Sequence, residues 1–204
     1  PERGIDPLTP GLKSVKGLPQ YWEVFKDPED PQKGRIYGSP PNWVADEVLR
    51  GKFETYGLDK NFNYFNPGSD TALSTSLVSA VKKGEPWVGY SWEPTWIMGQ
   101  YDMTLLEDEP YDIEKWEKGY ACEFPGVDVT VAVNKDVAQK APEVVEFLKK
   151  YKTSSELTNK MLAYMQENNV DAKETAKWFL QENEGLWTQW VPEGVAAKVL
   201  DTLQ

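Results

Sequence analysis

The sequence predicts an α/β fold: a mostly parallel sheet covered by helices, followed by a helical tail. Two observations carry this. Between Arg35 and Trp92, short strand-like runs alternate with helix-period segments in a β-α-β-α-β order. After Val133 the apolar residues recur only at helical spacing.

Taken in order, "PERGIDPLTPGL" holds three prolines and two glycines and reads as an extended connector. The next stretch, up to Gly34, reads as a short helical piece and a Pro-rich turn, leading to the strand "RIYG" at Arg35–Gly38. Asn42 is the expected N-cap of a helix that carries Val44, Val48, Leu49, Phe53 and Tyr56 on one stripe and stops at Gly57. "NFNYF" (61–65) reads as a strand. Ser69 or Asp70 caps the next helix, with Leu73, Leu77, Ala80 and Val81 inward and Gly84 closing it. "EPWVGYSW" is a strand stopped by Pro94.

"EDEPYDIEKWEKG" (107–119) reads as an acidic, solvated loop. Val127, Val129, Val131 and Val133 alternate strictly and predict a strand. In the tail, Pro142 suits a first helical position, and Thr153 with Glu156, and Asp171 with Glu174, have capping-box spacing. Leu157/Met161/Met165 and Ala172/Ala176/Phe179/Leu180 form the inward stripes. The change of pattern near Gly119–Gly126 predicts a boundary there.

Composition excludes several function classes. The 204 residues carry a net charge of -11, so no basic face for nucleic acid is expected. The absence of histidine removes Ser-His-Asp and Cys-His catalysis and His-ligated metal sites. Cys122 is the one cysteine, leaving no internal disulfide, and without a His to activate it a packing role is expected. No catalytic residue, cofactor or metal is assigned. No apolar run approaches a membrane span, and no basic-plus-apolar leader opens the chain, so any signal or anchor segment is expected outside it.

Nine tryptophans are the compositional anomaly. Trp22, Trp87 and Trp178 lie inside expected elements and read as core. Trp43 begins a helix, and Trp92 ends a strand before a proline turn. Both should therefore lie beyond the carboxyl ends of parallel strands, where ligands of open α/β sheets gather. An indole face attracts a cation at about 0.5–2 kcal/mol per contact, and a methylated ammonium, with no N–H to donate, suits such faces best. The start of the same helix offers the N–H groups of Trp43, Val44 and Ala45 at the positive end of the helix dipole. A cation receptor beside an anion receptor describes a small zwitterion. As an alternative, Trp faces can stack sugars, and Glu107, Asp108, Glu109, Asp112 and Glu114 could include an acid/base pair, giving a carbohydrate-binding module or glycosidase.

Three segments, "YGSPPNWVADEVL", "GEPWVGYSWEPTWIMGQYDMTLLEDEPYD" and "WFLQENEGLWTQWVP", resemble the substrate-binding proteins of ABC importers for glycine betaine and related quaternary ammonium compounds. The resemblance covers essentially the whole chain. It implies a type II periplasmic-binding-protein (Venus flytrap) fold, of which this chain would hold one complete lobe, 9–119, plus the C-terminal part of the other, 120–204, with a hinge connector at 1–8. It implies reversible binding rather than catalysis, an extracytoplasmic location, and a membrane permease as partner. By position, Trp43 and Trp92 take the places of cage tryptophans, Trp96 is a further candidate nearby, and Val44 and Ala45 stand where the family's amide donors hold the carboxylate.

Two departures accompany the resemblance. One branch has cysteines flanking the first cage loop, and Ser39 and Ala45 occupy those places here, so that disulfide is absent. The family's opening half-lobe, with another cage aromatic, has no counterpart in this chain. Weak betaine binding by the chain alone, and self-association through apolar surface meant for absent strands, are the expectations that follow.

Overall fold

The computed structural model describes residues 8–203; of the connector at 1–8, residues 1–7 lie outside them. Two compact units divide the chain. The first comprises the residues up to Trp92 with Asp102–Gly126; the second comprises Glu93–Tyr101 with the residues from Val127 on. The patterning change near Gly119–Gly126 ends where the second unit takes over. The segment 93–101, between two stretches of the first unit, goes with the second.

In the first unit, a 3₁₀ turn at Val15–Tyr21 leads to strand β1 (Gly34–Tyr37) and helix α1 (Val44–Thr55). Strand β2 (Phe62–Phe65) then pairs with β1 in parallel, Gly34 facing Phe62 and Tyr37 facing Phe65. Helix α2 (Asp70–Lys83) is capped by Ser69, whose hydroxyl accepts from the Ala72 N–H at 3.1 Å. Gly84, at φ 68°, ends it in the left-handed conformation that a side chain disfavours. The expected third strand forms only one parallel bridge, Tyr37 with Gly89, on the free edge of β1. β1 is thus central, and the chain emerges in the same direction after Tyr37 and after Gly89. Leu12, Leu18, Phe25, Leu58 and Phe62 are buried beneath it with Ile36, Phe53, Val88 and Leu106 against them. Phe62 is 1% exposed, and its burial contributes about 2–3 kcal/mol.

The second unit is helical. Helix α3 (Trp96–Gln100) belongs to it; the first unit contributes α4 (Ile113–Glu117) before the chain passes to α5 (Val137–Lys140), α6 (Pro142–Lys150) and α7 (Ser155–Asn168). Helices α8 (Ala172–Glu182), α9 (Glu184–Trp187) and α10 (Glu193–Leu203) complete it, with a 3₁₀ turn at Thr188–Trp190. Phe179, Trp187, Trp190 and Ala196 form its core. α3 packs on α7 so closely that a Cβ on Gly99 would lie 2.3 Å from the Asn159 carbonyl oxygen.

Several expectations are corrected. Residues 127–133 form no strand, and Val127 and Val129 are 82% and 96% exposed. Alternation supplies a strand's faces, but a strand also needs a neighbour to receive its backbone hydrogen bonds, and none is among the described residues. The acidic loop contains α4, because Asp112 caps it by accepting from the Lys115 N–H at 3.0 Å. The cap of α7 is Ser154 rather than Thr153; its hydroxyl accepts from the Leu157 N–H. Pro142 and Asp171 stand at the expected helix starts.

Candidate functional site

The site is built on the loop that follows β1. Gly38, Ser39 and Pro40 are buried, an unusual environment for a loop. Asn66 holds it by donating to the Ser39 carbonyl at 3.2 Å and to Asp46 at 3.3 Å. Asp46, in the first turn of α1, also accepts from the Tyr64 hydroxyl at 2.7 Å and from Arg50 at 2.9 Å. Burial pushes the Asp46 carboxyl up, but the hydrogen bonds from Tyr64 and Arg50, with the guanidinium charge, outweigh it and hold the pKa below the usual range.

Asn42 does not cap α1. It adopts φ 71°, a left-handed turn that asparagine tolerates, and so shifts the N-cap to Trp43. Trp43 has no side-chain oxygen to accept a hydrogen bond, so the helix mouth is left uncapped. The Trp43 N–H points to the Pro40 carbonyl at 3.4 Å. Those of Val44 and Ala45 have no partner among the described residues, and Val44 is 80% exposed.

The parallel arrangement of β1 and the Gly89 segment brings Trp43 and Trp92 together. Their ring centroids lie 5.0 Å apart with planes 69° to one another, two walls of a corner. The wall continues beyond them. Tyr90 stacks on Trp92 at 5.7 Å and 22°, and Phe124 lies 6.4 Å from Tyr90. Val44 and Ala45 begin the helix next to this corner. Trp96 opens α3, in the second unit.

Sequence reasoning missed Tyr90, Phe124 and the group that secures Phe124. Tyr90 carried a signal, since two residues before Trp92 on a strand lies the same side of the sheet. Phe124 carried none. Lys52, buried on α1, donates to Asp108 at 2.7 Å and to the Cys122 carbonyl, and its ammonium lies 5.4 Å from the Phe124 ring centroid. The Tyr56 hydroxyl donates to the other oxygen of Asp108. Burial raises the Asp108 carboxyl, but Lys52, Tyr56 and the Glu109 N–H outweigh it, and the pKa falls below the usual range.

The acidic cluster is therefore occupied. Asp108 is paired with Lys52, Glu109 with Lys16 and Lys115, and Asp112 caps a helix. Among the described residues no group of acidic or cysteine side chains could hold a metal, and no helix is long and apolar enough to cross a membrane.

An open cleft of about 610 Å³, lined by Arg35, Tyr37, Phe65, Ser69 and Thr75 among others, contains neither Trp43 nor Trp92. Its aromatic faces are already engaged, because the Arg35 guanidinium sits 4.3 Å from the Phe65 centroid and 5.9 Å from that of Tyr37. Among the described residues no lysine or arginine lies over Trp43 or Trp92.

Residues 6–182 match the OpuAC family, described as the substrate binding domain of ABC-type glycine betaine transport system. The chain is 27% identical over 191 residues to the trimethylamine N-oxide-binding protein of Pelagibacter ubique, covering 92% of this chain and 60% of that protein. It is 21% identical over 195 residues to the glycine betaine/proline betaine-binding periplasmic protein of Salmonella typhimurium, covering 88% and 58% respectively. Among solved structures it resembles lactococcal OpuAC in its closed form with glycine betaine, at a TM-score of 0.56, 18% identity and coverage of 89% and 63%. The glycine betaine/L-proline-binding protein of Borrelia burgdorferi gives 0.55, with 18% identity and coverage of 93% and 64%.

These structural likenesses place the fold in the type II periplasmic-binding-protein class expected from the sequence. The chain spans about 60% of the length of these curated relatives. It belongs to the substrate-binding domain family of ABC-type glycine betaine transport systems, a family of solute-binding proteins and not of enzymes.

Proposed function

We propose that the protein is the extracytoplasmic solute-binding component of an ABC importer for glycine betaine or a related quaternary ammonium osmolyte. The carrying observation is the corner of Trp43 and Trp92, set beside the uncapped mouth of α1. The methylated cation rests against the two indole faces, and the carboxylate accepts from the Val44 and Ala45 N–H groups. Trp96 is a further candidate ligand residue of the same reading. A membrane permease is the partner to which the ligand passes, and the transporter's ATPase supplies the energy. In the family's two-lobed architecture, 9–119 would supply the lobe that carries the ligand tryptophans and 120–204 the C-terminal part of the other, a division by family correspondence and distinct from the compact units of the chain. Self-association would arise at the exposed valines of 127–133.

Isothermal calorimetry on the intact protein tests the assignment. Trp43→Ala and Trp92→Ala should each weaken glycine betaine binding, by up to about thirtyfold if each face supplies ~2 kcal/mol. Trp87→Ala is the control, since Trp87 stacks on Tyr37 at 5.5 Å and donates to Ser76. Loss in the control with none in the other two would remove the site assignment. Heat with a maltose series and none with betaines would replace the osmolyte with a sugar.

A further inference from the structure

Tyr90 stands apart from other tyrosines of the first unit. The hydroxyls of Tyr56, Tyr64 and Tyr120 donate to Asp108, Asp46 and Glu47. The half-buried Tyr90 has no such partner among the described residues. Its ring is fixed by Trp92 on a nearly parallel plane and by Phe124 beside it. Burial alone pushes the phenol pKa up, so it is a proton donor at neutral pH.

A centroid separation of 5.7 Å between nearly parallel rings leaves no slot for a trimethylammonium group. Such a group needs about 4–4.5 Å of carbon-to-carbon contact on each side. Tyr90 is therefore not a cage face opposite Trp92. What it brings to the wall is a phenol O–H, unpartnered among the described residues, on the ring that stacks on Trp92. A quaternary nitrogen with only alkyl substituents gives that O–H nothing to bond, whereas an anionic oxygen on the same small molecule does.

We infer that Tyr90 is a specificity-determining residue whose phenol donates a hydrogen bond to the anionic oxygen of the bound methylated cation. It thereby selects oxygen-bearing ligands, carboxylate or N-oxide, over plain tetraalkylammonium ions. The inference rests on the reading of Trp43 and Trp92 as the cation corner.

The test is a calorimetric panel on the intact protein with glycine betaine, trimethylamine N-oxide and tetramethylammonium. Tyr90→Phe keeps the ring and its stacking but removes the donor. It should raise Kd for the first two ligands about tenfold, as expected for one hydrogen bond to a charged group, and leave tetramethylammonium within about twofold. Equal weakening of all three, or no change in any, would overturn the inference while leaving the corner intact. Trp92→Ala run beside it should weaken all three. No effect of that variant, or no tetramethylammonium binding by the wild type, would refute the corner reading and this inference with it.

Discussion

The two units of the chain are held by different forces. The first buries charge. Arg35 and Asp27 pair at 2.6 Å with side chains 9% and 6% exposed, and Lys52 and Asp108 at 2.7 Å with 9% and 11%. The second buries aromatic and aliphatic carbon around Trp187 and Trp190. Its described ion pairs, Lys140–Asp136, Lys149–Glu146, Lys160–Glu156 and Lys177–Glu174, all lie on exposed helical surface. The difference follows from what each unit must hold. Helices satisfy their own backbone and need only an apolar face to dock. The aromatic wall of the first unit sits on loops, which lack ladder hydrogen bonds, and fixed polar pegs such as Lys52 and Asn66 hold them instead.

The largest effect should come from the helical core. Trp190 is 7% exposed and lies 4.9 Å from Tyr151 and 6.3 Å from both Phe147 and Phe179. Trp190→Ala should cost about 3–5 kcal/mol in urea unfolding, with glycine betaine affinity of the remaining folded protein unchanged. If affinity falls in step with stability, Trp190 supports the binding wall as well as its own core.

A slightly smaller loss, about 3 kcal/mol, is expected for Lys52→Met, which strands the Asp108 carboxylate and frees the Cys122 carbonyl. Here the binding signature should differ from that of Trp190→Ala, because Phe124 loses its cation and betaine affinity should fall too. A loss of stability with unchanged affinity would make Lys52 a peg for the fold alone.

Acid should separate the units further, with the smallest effect per group. Asp27, Asp46 and Asp108 all belong to the first unit, and each is held below the usual carboxylate range. At Asp27 burial opposes this, but the Glu29 N–H, Asn63 and Arg35 prevail. Each carboxyl binds a proton more readily in the unfolded chain than in the folded one. The stabilisation is therefore fully present above the unfolded value of about 3.9 and is lost as pH falls through the lower folded values. Amide resonances of β1 and β2 should broaden or vanish below about pH 4, before those of α8 and α10. Loss of both sets at one pH would contradict the contrast.

Much of this architecture was legible in the sequence where the determinant is local. The inward Val48, Leu73, Leu77 and Ala80, the stop at Gly84 and the caps at Ser69 and Asp171 depend on neighbours within a few residues, whereas Val44 and Val81, expected on the same stripes, are 80% and 45% exposed. Trp43 and Trp92 were legible as candidates because each sits at the end of an element rather than within it. The cap of α1 was misplaced by one residue, since Asn42 suits a left-handed turn as well as a cap, and only the path of the buried loop decides between them. Lys52 was illegible for a different reason: its partner Asp108 is 56 residues away. The valines of 127–133 have the pattern of a strand, but pattern cannot supply a neighbour.

The segment 93–101 has a practical consequence for dissecting this protein. The chain leaves the first unit after Trp92, re-enters it at Asp102 and leaves again after Gly126, so neither unit is one continuous stretch. A gene cut at codon 126 would carry α3 away from α7 and uncover Ile97, which is 5% exposed in the whole chain. Separate production of the first unit therefore calls for excision of 93–101 and a short linker from Trp92 to Asp102, not a simple truncation.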